Sequence, residues 1–247
     1  MRPNSRYTVP AKRTIPGIDN TNLTVIIAAA SIGKRMKSYG PKALFEIHEE
    51  YLLEKQLHTI WSVFPNVEII VVVGFAGNKI RNKLLKKKYP IRFVLNPLYQ
   101  TTNVMFSLSL GLYPIITGGV LMMHGDLMFN TESIYGITAK GSRVLVDVSD
   151  QFDKDEVGII YDHETNIVTN FAYGLPIKWG QMAYLEEKEL RAFERIAHNH
   201  ELSQTWFFYE GLNRIVELKG KLHTHVPVGM RIVEIDSVKD LEKARSL

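Results

Sequence analysis

Apolar positions recur along this chain with two different periods, and the change from one to the other marks its organisation. Val25, Ile26 and Ile27 run unbroken into Ala28, Ala29 and Ala30, the pattern of a strand buried on both faces that ends in a small-residue loop. Leu44, Ile47, Leu53, Leu57, Ile60, Trp61 and Phe64 then follow helical spacing, which predicts a first crossover helix stopped by Pro65. Residues 67–73 (VEIIVVV) read as a second buried strand, residues 78–88 as a helix and residues 91–95 as a short strand. A polar loop over residues 96–103 leads to helical spacing from Val104 through Met105, Leu108 and Leu112. Residues 120–123 form another buried run, closed by His124, Gly125 and Asp126.

Alternation of strand and helix through this half predicts a parallel sheet with right-handed crossovers and helices on both faces. Beyond it the period shortens. Residues 143–148, 157–161, 166–171 and 181–185 read as strands, with a hairpin turn over residues 162–166. Helices are predicted over 186–199 and 206–216, strands over 222–226 and 230–235, and a last helix capped by Ser237. The expected fold is α/β, with a mostly parallel sheet and a smaller mixed β/α half. Residues 1–22, rich in proline and without apolar period, read as a flexible extension ahead of a single domain over 23–247.

Composition narrows the classes. No apolar run reaches the eighteen or so residues of a membrane span, and the amino terminus lacks the apolar centre of a secretory signal, so a cytoplasmic protein without a membrane partner is expected. With no cysteine, disulfides and thiolate metal sites are excluded. Thirty basic residues face 26 acidic ones, and the run Lys86, Lys87, Lys88 reads as a solvated helix end, so nucleic acid is not expected as a partner.

Candidate chemistry concentrates after the first strand. Ser31, Ile32 and Gly33 are followed by Lys34, Arg35, Lys37 and Lys42, and small residues let backbone approach an anion that cations then hold. The residue types match neither a P-loop nor a dinucleotide fingerprint. By itself the segment reads equally as a polyphosphate site or as an ordinary loop with exposed cations. Asp126 and Asp236 end two strands, and each reads either as a local turn or cap carboxylate or as a metal ligand. Trp206, Tyr209 and Glu210, within a ring-dense segment predicted helical, would offer a face to an organic cation or else pack in the core. His124 and the pair His223 and His225 could suggest a metal, but the alternating pair, with no third ligand nearby in sequence, reads as surface. No elbow supports Ser107 or Ser109 as a nucleophile.

The stretch from Ala29 to Lys42 resembles the signature of the nucleotidyltransferases, Ala-Ala-Gly-x-Gly-x-Arg-Met followed by Pro-Lys. Three further segments are similar to the same family in the same order: Asn96-Pro97 with Tyr99, Thr102-Asn103 and Ser107-Leu108; Gly125-Asp126; and residues 233–236 with Asp240, Leu241 and Ala244. The resemblance is strongest to the bacterial phosphocholine cytidylyltransferases. It implies a Rossmann-like, three-layer, GT-A-like fold. It also implies transfer of a nucleotidyl group from an NTP, here CTP, to a phosphorylated small alcohol or amino alcohol, with release of pyrophosphate. A sugar-1-phosphate acceptor, or a nucleotide-binding protein without catalysis, are the alternatives, and a homo-oligomer is compatible with either. On this resemblance Arg35 would hold the leaving phosphates, Lys42 the α-phosphate, and Asp126 with Asp236 one Mg²⁺. Ala28, Ala29, Ala30, Ser31, Gly33, Asn103 and Gly125 would lie along the nucleotide. Ser31 departs from the pattern's first glycine, and Lys178 is the nearest lysine to the segment where relatives contact the acceptor phosphate.

Overall fold

The computed structural model describes residues 23–33, 39–113, 118–148 and 155–247. Its strands are β1 (Leu23–Ala29), β2 (Glu46–Ile47), β3 (Glu50–Tyr51), β4 (Glu68–Val73), β5 (Ile91–Leu95), β6 (Gly119–His124), β7 (Leu127–Phe129), β8 (Arg143–Asp147), β9 (Val157–Asp162), β10 (Ile167–Tyr173), β11 (Ile177–Leu185), β12 (His223–His225) and β13 (Ile232–Glu234). Its helices are α1 (Leu52–Val63), α2 (Gly77–Leu85), α3 (Val104–Gly111), α4 (Thr131–Ile134), α5 (Glu187–His198), α6 (His200–Ser203), α7 (Phe208–Glu217) and α8 (Val238–Arg245).

One nine-stranded sheet runs through these residues in the order β5-β4-β1-β6-β11-β8-β12-β10-β9. β1 is parallel to both β4 and β6, and β4 is parallel to β5, as the alternating half requires. β11 joins β6 antiparallel and carries the mixed half into the same sheet. Consecutive residues of β1 face opposite ways: Val25 and Ile27 pack with Leu53, Leu57 and Ile60 of α1, whereas Ile26 packs with Met105 and Leu108 of α3. Because both faces are covered, polar alternation is absent from β1 and β4, and each fully buried aliphatic side chain contributes roughly 1.5–3 kcal/mol. No helix among the described residues is long and apolar enough to cross a membrane.

The first crossover differs from its sequence reading. Leu44 closes a 3-10 turn and Ile47 lies in the β2–β3 hairpin, whose His48 and Glu49 adopt positive φ, so α1 begins only at Leu52. Ile47 is apolar because it joins Phe45, Leu52, Ile235, Leu241 and Ala244 in a small separate cluster. That cluster fastens α8 to the hairpin, and with it the chain on either side of Asp236. At the start of α8 the Ser237 hydroxyl accepts the Asp240 N–H, the predicted cap.

Candidate active site

β1 and β6 are neighbours, yet the chain leaves β1 toward β4 and β5 on one side before returning to β6 on the other. The carboxyl ends of such strands form the crevice where open α/β sheets bind ligands. A cleft of about 1260 Å³ opens there, floored by Ala28, Ala30, Ser31 and Gly33 and bounded by Asn103, Asp126 and Asp236. Two glycines shape it. A Cβ on Gly125 would lie 2.7 Å from the Ala28 carbonyl oxygen, so only glycine lets the turn bearing Asp126 lie against the end of β1. Gly33, at φ +59°, lies under the Lys42 side chain, with the place of a Cβ 3.1 Å from Lys42 Cε.

Lys42, at the start of the 3-10 turn, is 8 % exposed. Its ammonium donates to Asp126 Oδ2 at 2.9 Å and also to Asp236 Oδ1. Burial by itself would lower the Lys42 pKa, but the Asp126 and Asp236 charges outweigh it and hold the amine above its ordinary value. Asp126 is likewise held below the usual carboxylate range, because the Lys42 charge overcomes its burial. Glu234 is pushed up to about 8 by burial and by the charges of Asp126 and Asp236, while Gln181 donates a hydrogen bond to it. Burial lowers the pKa of His124. One ligand atom each from His124, Asp126 and Glu234 lie within 4.8 Å of one another.

A fully buried amide ties the neighbouring loop together: Asn96 Nδ2 donates to Thr102 Oγ1 at 3.1 Å and Ser107 Oγ at 3.0 Å, and its Oδ1 accepts the Leu98 N–H. Asn103 precedes α3, lines the cleft, and donates through its side chain to the Thr205 carbonyl. The far wall of the cleft carries Tyr173, Phe207 and Tyr209 with Asp147, Asp155, Glu156 and Lys178. Phe207 and Tyr209 stack with centroids 6.0 Å apart, Tyr173 meets Tyr209 edge-on at 5.6 Å, and Lys178 pairs with Glu156.

Residues 25–165 match the model of the MobA-like NTP transferase domain. The chain belongs to this family. Among curated relatives it is 28% identical over 129 residues to the bifunctional protein GlmU of Synechococcus sp. strain JA-3-3Ab, covering 52% of this chain and 20% of that one. It is 33% identical over 78 residues to the bifunctional IPC transferase and DIPP synthase of Rubrobacter xylanophilus, covering 31% and 18%. The chain thus matches about a fifth of the length of these relatives. In fold it is similar to the CTP:phosphocholine cytidylyltransferase of Streptococcus pneumoniae, with TM-score 0.72, 21% identity, and coverage of 91% of this chain and 98% of that one. It is also similar to the inositol-1-phosphate CTP transferase of T. maritima, with TM-score 0.76, 16% identity, and coverage of 90% and 94%. The Rossmann-like α/β architecture expected from the sequence is therefore that of nucleotidyltransferases.

Within this family member the expected site residues separate into groups. Lys42, Asp126 and Asp236 converge on one point, and Ala28, Ala30, Ser31, Gly33 and Asn103 line the cleft beside it. Arg35 lies outside the described residues, as do residues 1–22. Ala29 faces away from the cleft: its side chain packs on the core beneath α1, because period 2 sends it opposite to Ala28. Gly125 is buried against Ala28 and Ala29 and shapes the turn rather than lining the cleft. Trp206 precedes α7 instead of lying on it and packs against the core, so it shares no helical face with Glu210. Glu210 accepts the Phe207 N–H at 2.7 Å and thereby caps α7. Of that trio only Tyr209 faces the cleft, and Phe207 and Tyr173 supply the other rings.

The Asp126 and Asp236 oxygens already share one positive atom, Lys42 Nζ, and both are hard donors, so this pair fits Mg²⁺. Glu234 was legible through period 2, since it flanks the fully buried Ile235 together with Asp236. Gln181 gave no signal; its positive φ and the irregular β11–β8 register turn it into the cleft.

Proposed function

We propose that this chain catalyses nucleotidyl transfer from an NTP, with CTP as the donor, to a phosphorylated small alcohol bearing an amine or quaternary ammonium. The observation that carries the reading is the junction of Lys42 with Asp126 and Asp236 at the mouth of the small-residue loop. An acceptor phosphate oxygen attacks the α-phosphorus, the bond to the β-phosphate breaks, and pyrophosphate leaves. The acceptor is already anionic, so no protein nucleophile or strong base is needed, and catalysis rests on positioning and charge stabilisation. Asp126 and Asp236 would hold Mg²⁺, which when bound neutralises charge on the phosphates. Lys42 would pass from its carboxylates to the α-phosphate, and Arg35 would steady the leaving group.

The acceptor end of the reading rests on the far wall. The exposed rings of Tyr173 and Phe207 and the half-buried ring of Tyr209, lining the cleft with Asp147, Asp155 and Glu156, suit an organic cation, and Lys178 suits the acceptor phosphate. Pyrophosphate release with four NTPs and a panel of amino-alcohol, polyol and hexose phosphates tests this. Preference for CTP with an amino-alcohol phosphate is expected. Equal turnover with hexose 1-phosphates refutes the acceptor class, and no pyrophosphate with any pair refutes catalysis.

A further inference from the structure

The turn that carries Asp126 is held by backbone on one side and by a buried side chain on the other. Gly125 donates its N–H to the Ala28 carbonyl at 2.9 Å, and the Asp126 carbonyl accepts the Ile235 N–H at 2.9 Å. Among the described residues β7, which follows, pairs only with β13 in a two-stranded ribbon. Asp126 bonds across that ribbon, and strand alternation turns the Leu127 carbonyl to its open edge. Gln56 of α1 covers this edge: its Nε2 donates to the Leu127 carbonyl at 2.8 Å and, more weakly, to the His124 carbonyl at 3.4 Å. These two acceptors bracket Gly125 and Asp126. We propose that Gln56 is a positioning residue for Asp126, which fixes the turn through both carbonyls so that the carboxylate meets Lys42 and Asp236. For catalysis this role rests on the proposed nucleotidyl transfer; for the turn itself it does not.

Gln56 stands where the helical period calls for an apolar residue. It lies four residues from Leu52 and four from Ile60, both fully buried, and is itself 1 % exposed. A buried amide in such a row destabilises the fold unless both its ends are bonded, and Gln56 Oε1 has no hydrogen-bond partner among the described residues. Packing alone would be served better by methionine, so the donor end accounts for the amide. Two carbonyl acceptors fix its orientation, because only Nε2 can donate. The helix that holds it is anchored in turn: Leu53, Leu57 and Ile60 lie in one core cluster with Val25 and Ile27 of β1. α1 thereby ties the place of Asp126 to the strand that leads into the small-residue loop. Without the amide the Leu127 carbonyl loses a buried donor and the turn is free to shift. A displacement of about 1 Å is enough to cost on the order of a hundredfold where a group must meet reacting atoms.

The test compares two variants of the full chain: Gln56→Met, which keeps most of the volume and removes the amide, and Ile60→Val, a small loss in the same helical row that leaves the turn untouched. Amide hydrogen exchange in chelator reads the turn without metal or turnover. Exchange at Gly125 and Ile235, measured against the amides of β4, should quicken by about tenfold or more in Gln56→Met and stay unchanged in Ile60→Val. Calorimetric titration with Mg²⁺ should give a dissociation constant raised by about tenfold in Gln56→Met and by less than about threefold in Ile60→Val. In pyrophosphate release Gln56→Met should lose kcat by about tenfold or more and keep the acceptor KM of wild type. If Gln56→Met does not fold, as judged by its melting curve, Gln56→Asn, too short to reach both carbonyls, takes its place. Unchanged exchange at Gly125 and Ile235, equal quickening in Ile60→Val, or a Mg²⁺ affinity equal to that of a binding wild type would each overturn the positioning role. A wild type that releases no pyrophosphate would refute the catalytic reading instead, and the exchange result would still decide the role of Gln56.

Discussion

Replacing Lys42 by methionine tests the centre of the site, because it removes one charge and keeps most of the side-chain volume. Read as a loop residue from the sequence, Lys42 would matter little to stability. Its side chain is instead 9 % exposed and bridges Asp126 and Asp236, at 17 % and 31 %. Breaking a buried pair by removing one partner costs about 3–5 kcal/mol, and the partly exposed Asp236 brings the expectation toward the lower end, about 2–3 kcal/mol. For a chain of this size that lowers the melting temperature by roughly 5–10 °C in chelator. A cation between the two carboxylates replaces the lost charge, so millimolar Mg²⁺ should recover part of that loss in the variant and add little to wild type. Turnover should not recover. A cation withdrawn from the reacting phosphate costs about 3 kcal/mol of transition-state stabilisation, a fall of about a hundredfold in kcat. Differential scanning fluorimetry with and without Mg²⁺, paired with a pyrophosphate-release assay, reads both quantities. A variant that melts like wild type in chelator, or keeps more than about a fifth of wild-type kcat, refutes the reasoning.

Asp126→Asn and Asp236→Asn should each abolish Mg²⁺-dependent turnover, and their double variant should be scarcely worse than either; multiplicative losses in pyrophosphate release would deny a shared ion. Tyr209→Ala should raise the acceptor KM by up to about thirtyfold while sparing the KM for CTP, as loss of a desolvated cation–π contact of about 2 kcal/mol predicts. Trp206→Ala should act mainly on the melting temperature, and a selective change in acceptor KM would return Trp206 to the site. His225 is pushed down to about 4 by burial and by Arg143, below its unfolded value of 6.5. The unfolded chain therefore takes up the proton first, and stability should fall as pH drops from about 6.5 to about 4, with no further contribution below. Urea midpoints across that range should decline less in His225→Gln than in wild type, and parallel declines would count against this assignment.

Runs such as Val25, Ile26 and Ile27 or residues 69–73 carry their own instruction, since β-branched residues without polar alternation are stable only as strands covered on both faces. Proline after α1 and the Ser237–Asp240 cap set helix ends by local chemistry alone. The candidate site was legible where its residues sit in short ordered motifs: the loop after β1, Asn103, Gly125 with Asp126, and the end of β13. The junction itself was not. Lys42, Asp126 and Asp236 come from three distant segments, and only the parallel register of β1 with β6, with the small cluster holding α8 on the hairpin, brings their charges together. The same holds for His124 with Glu234, and for the rings of Tyr173 and Phe207. Ring density marked residues 206–209 in the sequence, but the first residue of α7 decided which rings face the cleft and which the core. Local pattern fixes which elements form, whereas burial against distant elements decides which polar groups must satisfy one another, and the chemistry resides in those pairings.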